Sequence, residues 1–171
     1  SGTALHMAAD HDHPQVVRLL VQHRANPNIT NKDGATPLYL AVTPEKPSLL
    51  VGVKSEEQWL ARHPTSSSAG AVAELLQHPS LSINHRCGPD GQTALLWAAK
   101  AGQAQCVEQL LAARADPSVV ALGGTAMDFA SLLMHPGNAA CARMLRAYGA
   151  RFAGELDASK AISQSASAES S

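Results

Sequence analysis

The apolar positions of the chain fall into short rows that repeat at regular intervals. One kind of row, as in residues 16–20, places Val and Leu on a single stripe of a helix. The other kind begins with Thr and continues with small or apolar residues, as in residues 3–9. Thr can cap a helix by accepting a backbone N–H, and Ala lets neighbouring helices approach closely. The alternation of the two rows predicts pairs of short helices.

The row that begins with Thr occurs four times, starting at Thr3, Thr36, Thr93 and Thr125. The first and third intervals each match a period of roughly 33 residues, which is typical of helical repeat proteins. The middle interval, from Thr36 to Thr93, is longer by more than half of that period. This spacing predicts four stacked units, the second of which carries an insertion.

This recurrence in register, over roughly residues 1–152, resembles the ankyrin-repeat family. The resemblance implies that each unit is a helix, a tight turn, an antiparallel helix and a hairpin-like loop that reaches toward the next unit. We therefore expect an all-α fold, an ankyrin-repeat solenoid of stacked helix-turn-helix units. A single helix pair cannot bury its apolar face, so stacking would supply most of the stability.

We expect five segments along the chain. Residues 1–33, 34–90, 91–122 and 123–153 are predicted to be repeats one to four, the last being a repeat or a C-terminal cap, and 154–171 a disordered tail or linker. The insertion, at about 43–68, is predicted to be an excursion with one short helix and not a fifth repeat. Because Ser1 falls inside a motif, additional repeats or domains are expected in the parent protein.

The ends of the second helices depart from the family pattern. The family favours a left-handed Gly there, but only Gly149 matches, and Arg24, Ser80 and Arg114 stand at the other three positions. A non-Gly residue with positive φ costs about 1 kcal/mol, so these repeats should be less stable than idealised ones. Within the second helices we expect four leucines to be buried: Leu20, Leu76, Leu111 and Leu145.

The composition limits which classes of partner and which cellular compartment are expected. The formal charge is −1 with no basic stripe, so a nucleic-acid partner is not indicated, and the apolar runs are too short to span a membrane. The three cysteines, Cys87, Cys106 and Cys141, are an odd number, which argues against a disulfide framework. The sequence therefore predicts an intracellular protein, cytoplasmic or nuclear.

Candidate chemistry is sparse. His11 and His13, beside Asp10 and Asp12, have no matching Cys or His pair elsewhere and are interpreted as a polar turn. His6 matches a structural His of the family and is not interpreted as a ligand or a base. The sequence contains no Gly-rich phosphate loop and no pairing of a nucleophile with a base in register. We expect no enzymatic activity, no cofactor and no metal.

The resemblance implies that a partner protein or peptide docks on the concave face, which is built from loop tips and first helices. Trp97 shares a column with Met7, Leu40 and Phe129, and either packs between units or anchors a partner. Trp59, in the insertion, either covers helix ends or is an exposed contact. The candidate partner-binding residues are Asp10, His11, Thr30, Asn31, Lys32, Asp33, Trp59, His85, Arg86, Asp90, Trp97, Lys100, Val120 and Leu122.

The predicted function is a protein–protein interaction module. One alternative is a substrate-recognition adaptor of an enzyme complex such as a ubiquitin ligase. A second is a structural spacer, which would expose no apolar surface on the concave face. An enzyme would instead need a deep pocket with perturbed titrating groups.

Overall fold

The computed structural model describes residues 2–43, 69–132 and 137–156, which form eight short helices. Residues 153–156 add one helical turn, so the segment predicted as a tail from residue 154 begins with helical residues. None of the described helices is long and apolar enough to cross a membrane. The helices are α1 (Ala4–Asp10), α2 (Pro14–Gln22), α3 (Pro37–Val42), α4 (Ala69–Leu76), α5 (Ala94–Lys100), α6 (Ala104–Ala112), α7 (Ala126–Leu132) and α8 (Asn138–Ala147).

The helices form two layers. The first helices of the units pack in the order α1, α3, α5, α7, and the second helices pack in the order α2, α4, α6, α8. Each first helix also contacts the second helix of its own unit. The stacked pairs confirm the predicted all-α solenoid, and they bury one continuous apolar core between the layers.

The core repeats in register because the same position of each first helix faces it. The residue two after the leading Thr is almost fully buried in every unit, and the residue five after it is a buried Ala. Small Ala side chains at this second position allow the helices to lie close together. The two rows are Leu5, Leu38, Leu95 and Met127, and Ala8, Ala41, Ala98 and Ala130.

The leading Thr residues cap first helices as predicted. Thr36 Oγ1 accepts a hydrogen bond from Tyr39 N, and Thr93 Oγ1 accepts one from Leu96 N, both at 3.3 Å. In unit one the third residue after Thr is His6, whose Nδ1 accepts from the Thr3 backbone N–H at 3.1 Å. With Nδ1 accepting, His6 Nε2 donates to Ala35 O at 3.1 Å and joins unit one to the next loop. His6 is therefore a buried structural residue.

The burial of the second-helix leucines corrects the predicted register in α4. Leu111 and Leu145 are buried as predicted, but Leu20 and Leu76 are only partly buried. In α4 the fully buried position belongs to Leu75, one residue earlier than predicted. Leu20 is partly exposed because no described helix packs on the outer side of unit one.

The turns after the second helices explain that shift. Arg24 and Arg114 have positive φ values of 64° and 65°, as predicted for these positions, where the family favours Gly. Gly149 has φ 78°. Ser80 is not among the described residues with positive φ. Leu75 and Leu110 occupy equivalent positions, and so do Asn84 and Ser118. Leu110 and Ser118 are eight positions apart, but Leu75 and Asn84 are nine apart, so the turn after α4 is one residue longer. The extra residue lets the chain reverse without a left-handed step.

The insertion falls between α3, which ends at Val42, and α4, which begins at Ala69. Apart from Thr43, the residues predicted to form it lie outside the described residues. This includes the predicted short helix and Trp59. Residues 157–171, the rest of the predicted tail, also lie outside them.

Candidate functional site

The loop tips between units are closed by short hydrogen bonds. In the loop before α3, Asn31 Oδ1 accepts from the backbone N–H groups of Asp33 and Ala35, both at 2.9 Å. In the two following loops, antiparallel bridges join Cys87 to Gln92 and Ala121 to Gly124. These bonds make each loop a hairpin-like projection beside the first helices, as the resemblance implied.

A pocket of about 340 Å³ opens where two of these loop tips meet α3 and α5. Its walls come from units two and three, and one residue of the loop before unit four contributes to its edge. Five predicted partner-binding residues line it: Asp33, Asp90, Trp97, Lys100 and Leu122. The other lining residues are Ala35, Tyr39, Cys87, Gly88, Pro89 and Gln92.

The aromatic part of the pocket is formed by Tyr39 and Trp97. Their ring centroids lie 6.4 Å apart with an angle of 51° between the planes, a tilted arrangement favourable for aromatic pairs. The ammonium of Lys100 lies 4.9 Å from the Trp97 ring centroid, within cation–π distance. Trp97 is only 3% exposed. It therefore packs between units, the first of the two alternatives, and lines the pocket from within, while its role in binding a partner stays a prediction.

The column that contains Trp97 is not a uniform apolar strip. Met7 is 54% exposed, while Leu40 and Phe129 are partly buried. The side chain at this position is at least partly covered only in the units that have a described unit before them.

The rim of the pocket combines carboxylates with apolar side chains. Asp33 and Asp90 are both exposed, each on a different loop tip. Leu122 is 53% exposed and has φ 53°, and the nearby Val120 is 37% exposed. A partner would meet negative charge and aliphatic surface at the same opening.

Cys87 is the thiol that lines the pocket, and it is buried. Burial raises its pKa, although contacts with Thr36 partly oppose that rise. Its sulfur lies 3.9 Å from Thr36 Oγ1. Because the thiolate is the reactive form, a raised pKa disfavours nucleophilic chemistry here.

The other predicted residues that the structure describes lie outside the pocket lining. Asp10 ends α1, and His11 follows it with its Nδ1 3.0 Å from Met7 O. The His11 and His13 rings stack at 6.1 Å, but no three described His, Cys, Asp or Glu residues could hold a metal together. Thr30 and Lys32 are exposed, while Asn31 accepts the hydrogen bonds that close its loop.

In the loop before α5, Arg86 and His85 have different surroundings. Arg86 Nη1 donates to Val120 O at 3.1 Å and so fixes one loop tip against the next. His85 is partly buried. Arg86 therefore positions the rim, and this contact between loops could not be seen from the sequence.

Sequence reasoning missed Tyr39 and Cys87 as lining residues. Tyr39 occupies the place of His6, and that position was interpreted as structural. A signal was present, because an aromatic hydroxyl replaces a buried imidazole there. Cys87 carried no such signal, since its place in the pocket depends on the bridge that its loop forms with Gln92.

Comparison with known proteins places the same pattern in a family. The sequence profile of the ankyrin repeat matches residues 2–32, and the profile of three tandem ankyrin repeats matches residues 63–153. A palmitoyltransferase, AKR1, of Lachancea kluyveri is 30% identical over 72% of this chain, which corresponds to 14% of that protein. Neurogenic locus notch homolog protein 4 of Homo sapiens is 31% identical over 67% of this chain, corresponding to 4% of that protein.

A third relative is a putative ankyrin repeat protein of fowlpox virus, 55% identical over 23% of this chain and 12% of its own length. The chain thus spans between 4% and 14% of these three relatives.

Proposed function

Because the chain belongs to the ankyrin-repeat family, whose repeats are generally protein–protein interaction modules, we propose that it binds a partner protein or peptide in the pocket of units two and three. The observation that carries this proposal is the pocket itself, with aromatic walls, an ammonium and two carboxylates at one opening. Its volume of about 340 Å³ suits one or two side chains of a partner.

The rim supports binding because it is already ordered. Asn31 closes one loop tip from within, and Arg86 ties the next tip to Val120. Fewer groups then lose freedom when a partner docks, which lowers the cost of association. Exposed Leu122 and Val120 would supply apolar contact area beside the pocket.

The same apolar exposure favours a binding module over a structural spacer. A spacer needs no aliphatic side chains at its loop tips, whereas Leu122 is 53% exposed. The family is typically non-enzymatic, and we propose that this chain contributes binding and not catalysis. The raised pKa of Cys87 supports that assignment.

We also propose an intracellular location, in the cytoplasm or the nucleus. The support is that Cys87, Cys106 and Cys141 are all free and buried, as expected for a reducing compartment. Tagging the parent protein and imaging it in cells would test this; secretion would contradict it.

The binding proposal is tested by selecting peptides from a display library on the purified chain. Two pocket variants, Leu122→Asn and Asp90→Asn, are then compared with Leu132→Asn, a matched control at a side chain 75% exposed on α7 and outside the pocket lining. We expect at least one pocket variant to weaken the selected peptides about tenfold, or about 1.4 kcal/mol, and the control to leave them unchanged. Peptides that respond only to the control variant would place the site elsewhere.

A further inference from the structure

The loop tips before units two, three and four each contribute one residue at the same register position to the pocket lining. These residues stand three before the leading Thr of their units, and each is followed by a Gly with positive φ. They are Asp33, Asp90 and Leu122. Two carboxylates and one aliphatic side chain therefore follow one another along the array, so the rim changes from acidic to apolar toward unit four.

The carboxylates of Asp33 and Asp90 are not used within the described part of the chain. Both residues are exposed, and neither carboxylate accepts a hydrogen bond from, or forms an ion pair with, another described residue. In the loop after α6, by contrast, Asp116 Oδ1 accepts hydrogen bonds from Ser118 N and Oγ at 2.8 and 2.6 Å. Because the two rim carboxylates do not close their own loops, they are available to a group from outside.

The cations near the pocket leave its lining negative. The ammonium of Lys100 lies 4.9 Å from the centroid of the buried Trp97 ring, which lines the pocket from within. The guanidinium of Arg86 donates to Val120 O and is not part of the lining, and the exposed Lys32 also lies outside it. The lining thus carries two carboxylates and one ammonium. This excess of negative charge favours a cationic group from the partner.

Leu122 is an aliphatic side chain in an unfavourable backbone conformation. Antiparallel hydrogen bonds between Ala121 and Gly124 leave Leu122 and Gly123 as a two-residue turn, with positive φ values of 53° and 78°. Such turns favour Asn, Asp or Gly at the first position, because most side chains disfavour the left-handed region. Leu122 is 53% exposed, so burial of its side chain offsets the strain only in part. An exposed Leu in a strained turn beside a pocket indicates a contact with a partner.

We infer that the segment bound in the pocket is a basic and aliphatic peptide. A basic side chain of the partner meets Asp33 and Asp90, and an aliphatic side chain packs on Leu122. Arg suits the first position best, because its planar guanidinium has enough N–H donors for both carboxylates. This inference rests on the proposed function and names the chemistry of the partner at that same pocket.

The stacking of the units also sets the spacing within the peptide. Packed helices lie about 8–10 Å apart, and an extended chain rises about 3.3 Å per residue. Groups that meet neighbouring loop tips are therefore about three residues apart. The partner segment is an extended peptide in which a basic residue and an aliphatic residue are separated by about this distance.

The test uses the peptides selected on the purified chain and replaces their basic residue by its neutral analogue, citrulline for Arg or acetyl-lysine for Lys. On the parent protein we expect the neutral peptide to bind about three- to tenfold more weakly, as for a cation that faces two exposed carboxylates. The loss should be smaller on Asp33→Ser and on Asp90→Ser, each of which removes one carboxylate. It should be unchanged on Glu108→Gln, a matched control at an exposed carboxylate of α6 outside the lining.

Leu122→Asn provides a second measurement, which separates binding from folding. Asn suits the first position of a two-residue turn with positive φ, so the variant should unfold at the same temperature as the parent or at a higher one. It should nevertheless bind the selected peptides about tenfold more weakly. This loss should be absent for a peptide whose aliphatic residue is replaced by Ser. A loss that is the same for both peptides would overturn the contact with Leu122.

Two further outcomes would overturn the inference and leave the proposed function intact. The first is a set of peptides that respond to Leu122→Asn but carry no basic residue, including acidic peptides that meet Lys100 instead. The second is an equal loss with the neutral peptide on the parent and on both Ser variants. Peptides that respond to none of the pocket variants would contradict the proposed function itself, and this inference with it.

Discussion

The side chain of Asp12 in unit one accepts a hydrogen bond from the backbone N–H of Ala71 in unit two, at 2.7 Å. Asp12 lies in the turn between α1 and α2 with φ 48°, and the equivalent turn of unit three uses Gly102 with φ 68°. A left-handed backbone costs Asp about 1 kcal/mol more than Gly. The bond to Ala71 offsets that strain and joins the first turn of α4 to the neighbouring unit.

Substitutions at Asp12 should therefore distinguish the cost of its backbone strain from the gain of its hydrogen bond to Ala71. Asp12→Gly relieves about 1 kcal/mol of strain but loses a hydrogen bond to a charged group, worth about 1.5–3 kcal/mol. We expect it to lower the free energy of unfolding by about 1 kcal/mol in urea titrations. Asp12→Asn keeps an acceptor and should cost less. A Gly variant more stable than the parent would show that the bond to Ala71 contributes little.

The turns after the second helices provide a second comparison. Arg24→Gly and Arg114→Gly should each raise the free energy of unfolding by about 1 kcal/mol, because both positions have positive φ. Ser80→Gly is the matched control at the turn with the extra residue, and it should give no gain. The measurement is urea unfolding. Equal stabilisation by all three variants would contradict the finding that Arg24 and Arg114, but not Ser80, have positive φ.

The repeat and its helix starts could be predicted because their signals are local. A Thr cap and a nearby apolar row lie within a few residues of each other, so Thr36 and Thr93 predicted their helices correctly. The register of α4 could not be fixed in this way. Leu75 and Leu76 are adjacent, and either satisfies the apolar pattern until the longer turn after them is known.

The pocket depends on contacts that the sequence does not encode locally. Trp97 and Met7 occupy equivalent positions, yet their exposures are 3% and 54% because only Trp97 has a preceding unit beside it. Tyr39 and Trp97 belong to different units and meet only after stacking. The repeat period predicts which residues occupy equivalent positions in each unit. Their exposure depends on whether another unit packs beside them.

Asp128 should make stability depend on pH. Burial alone would raise the pKa of its carboxyl group, but hydrogen bonds from Thr125 and Ala153 outweigh burial and lower it. A folded pKa below the unfolded value means that the carboxylate stabilises the fold above the unfolded pKa. This contribution is lost as the pH falls through the folded pKa, from about pH 5 downward.

The measurement is urea unfolding of the parent and Asp128→Asn across that range of pH. The parent should be the more stable protein near pH 7, and the difference should shrink in acid. A constant difference at every pH would show that ionisation of Asp128 does not contribute.

Gly137 is required for a different reason from the left-handed glycines. Its φ is −80°, which any residue adopts, but an added Cβ would overlap the carbonyl oxygen of Gly102. Because the obstacle is backbone, Gly137→Ala should cost about 1–3 kcal/mol. Gly149→Ala, at φ 78° with open space around it, should cost only about 1 kcal/mol of backbone strain. Thermal unfolding of both variants would check the order, and a larger loss at Gly149 would contradict it.

The pocket lies across the boundary between units two and three, with Tyr39 on one side and Trp97 on the other. Its shape therefore exists only while α3 and α5 stay packed together. Thermodynamic linkage then makes any molecule that binds there a stabiliser of that boundary, with a contribution that grows with the logarithm of its concentration above the dissociation constant. By reciprocity, any event that separates the two units also releases the bound molecule, even if it touches no residue of the pocket.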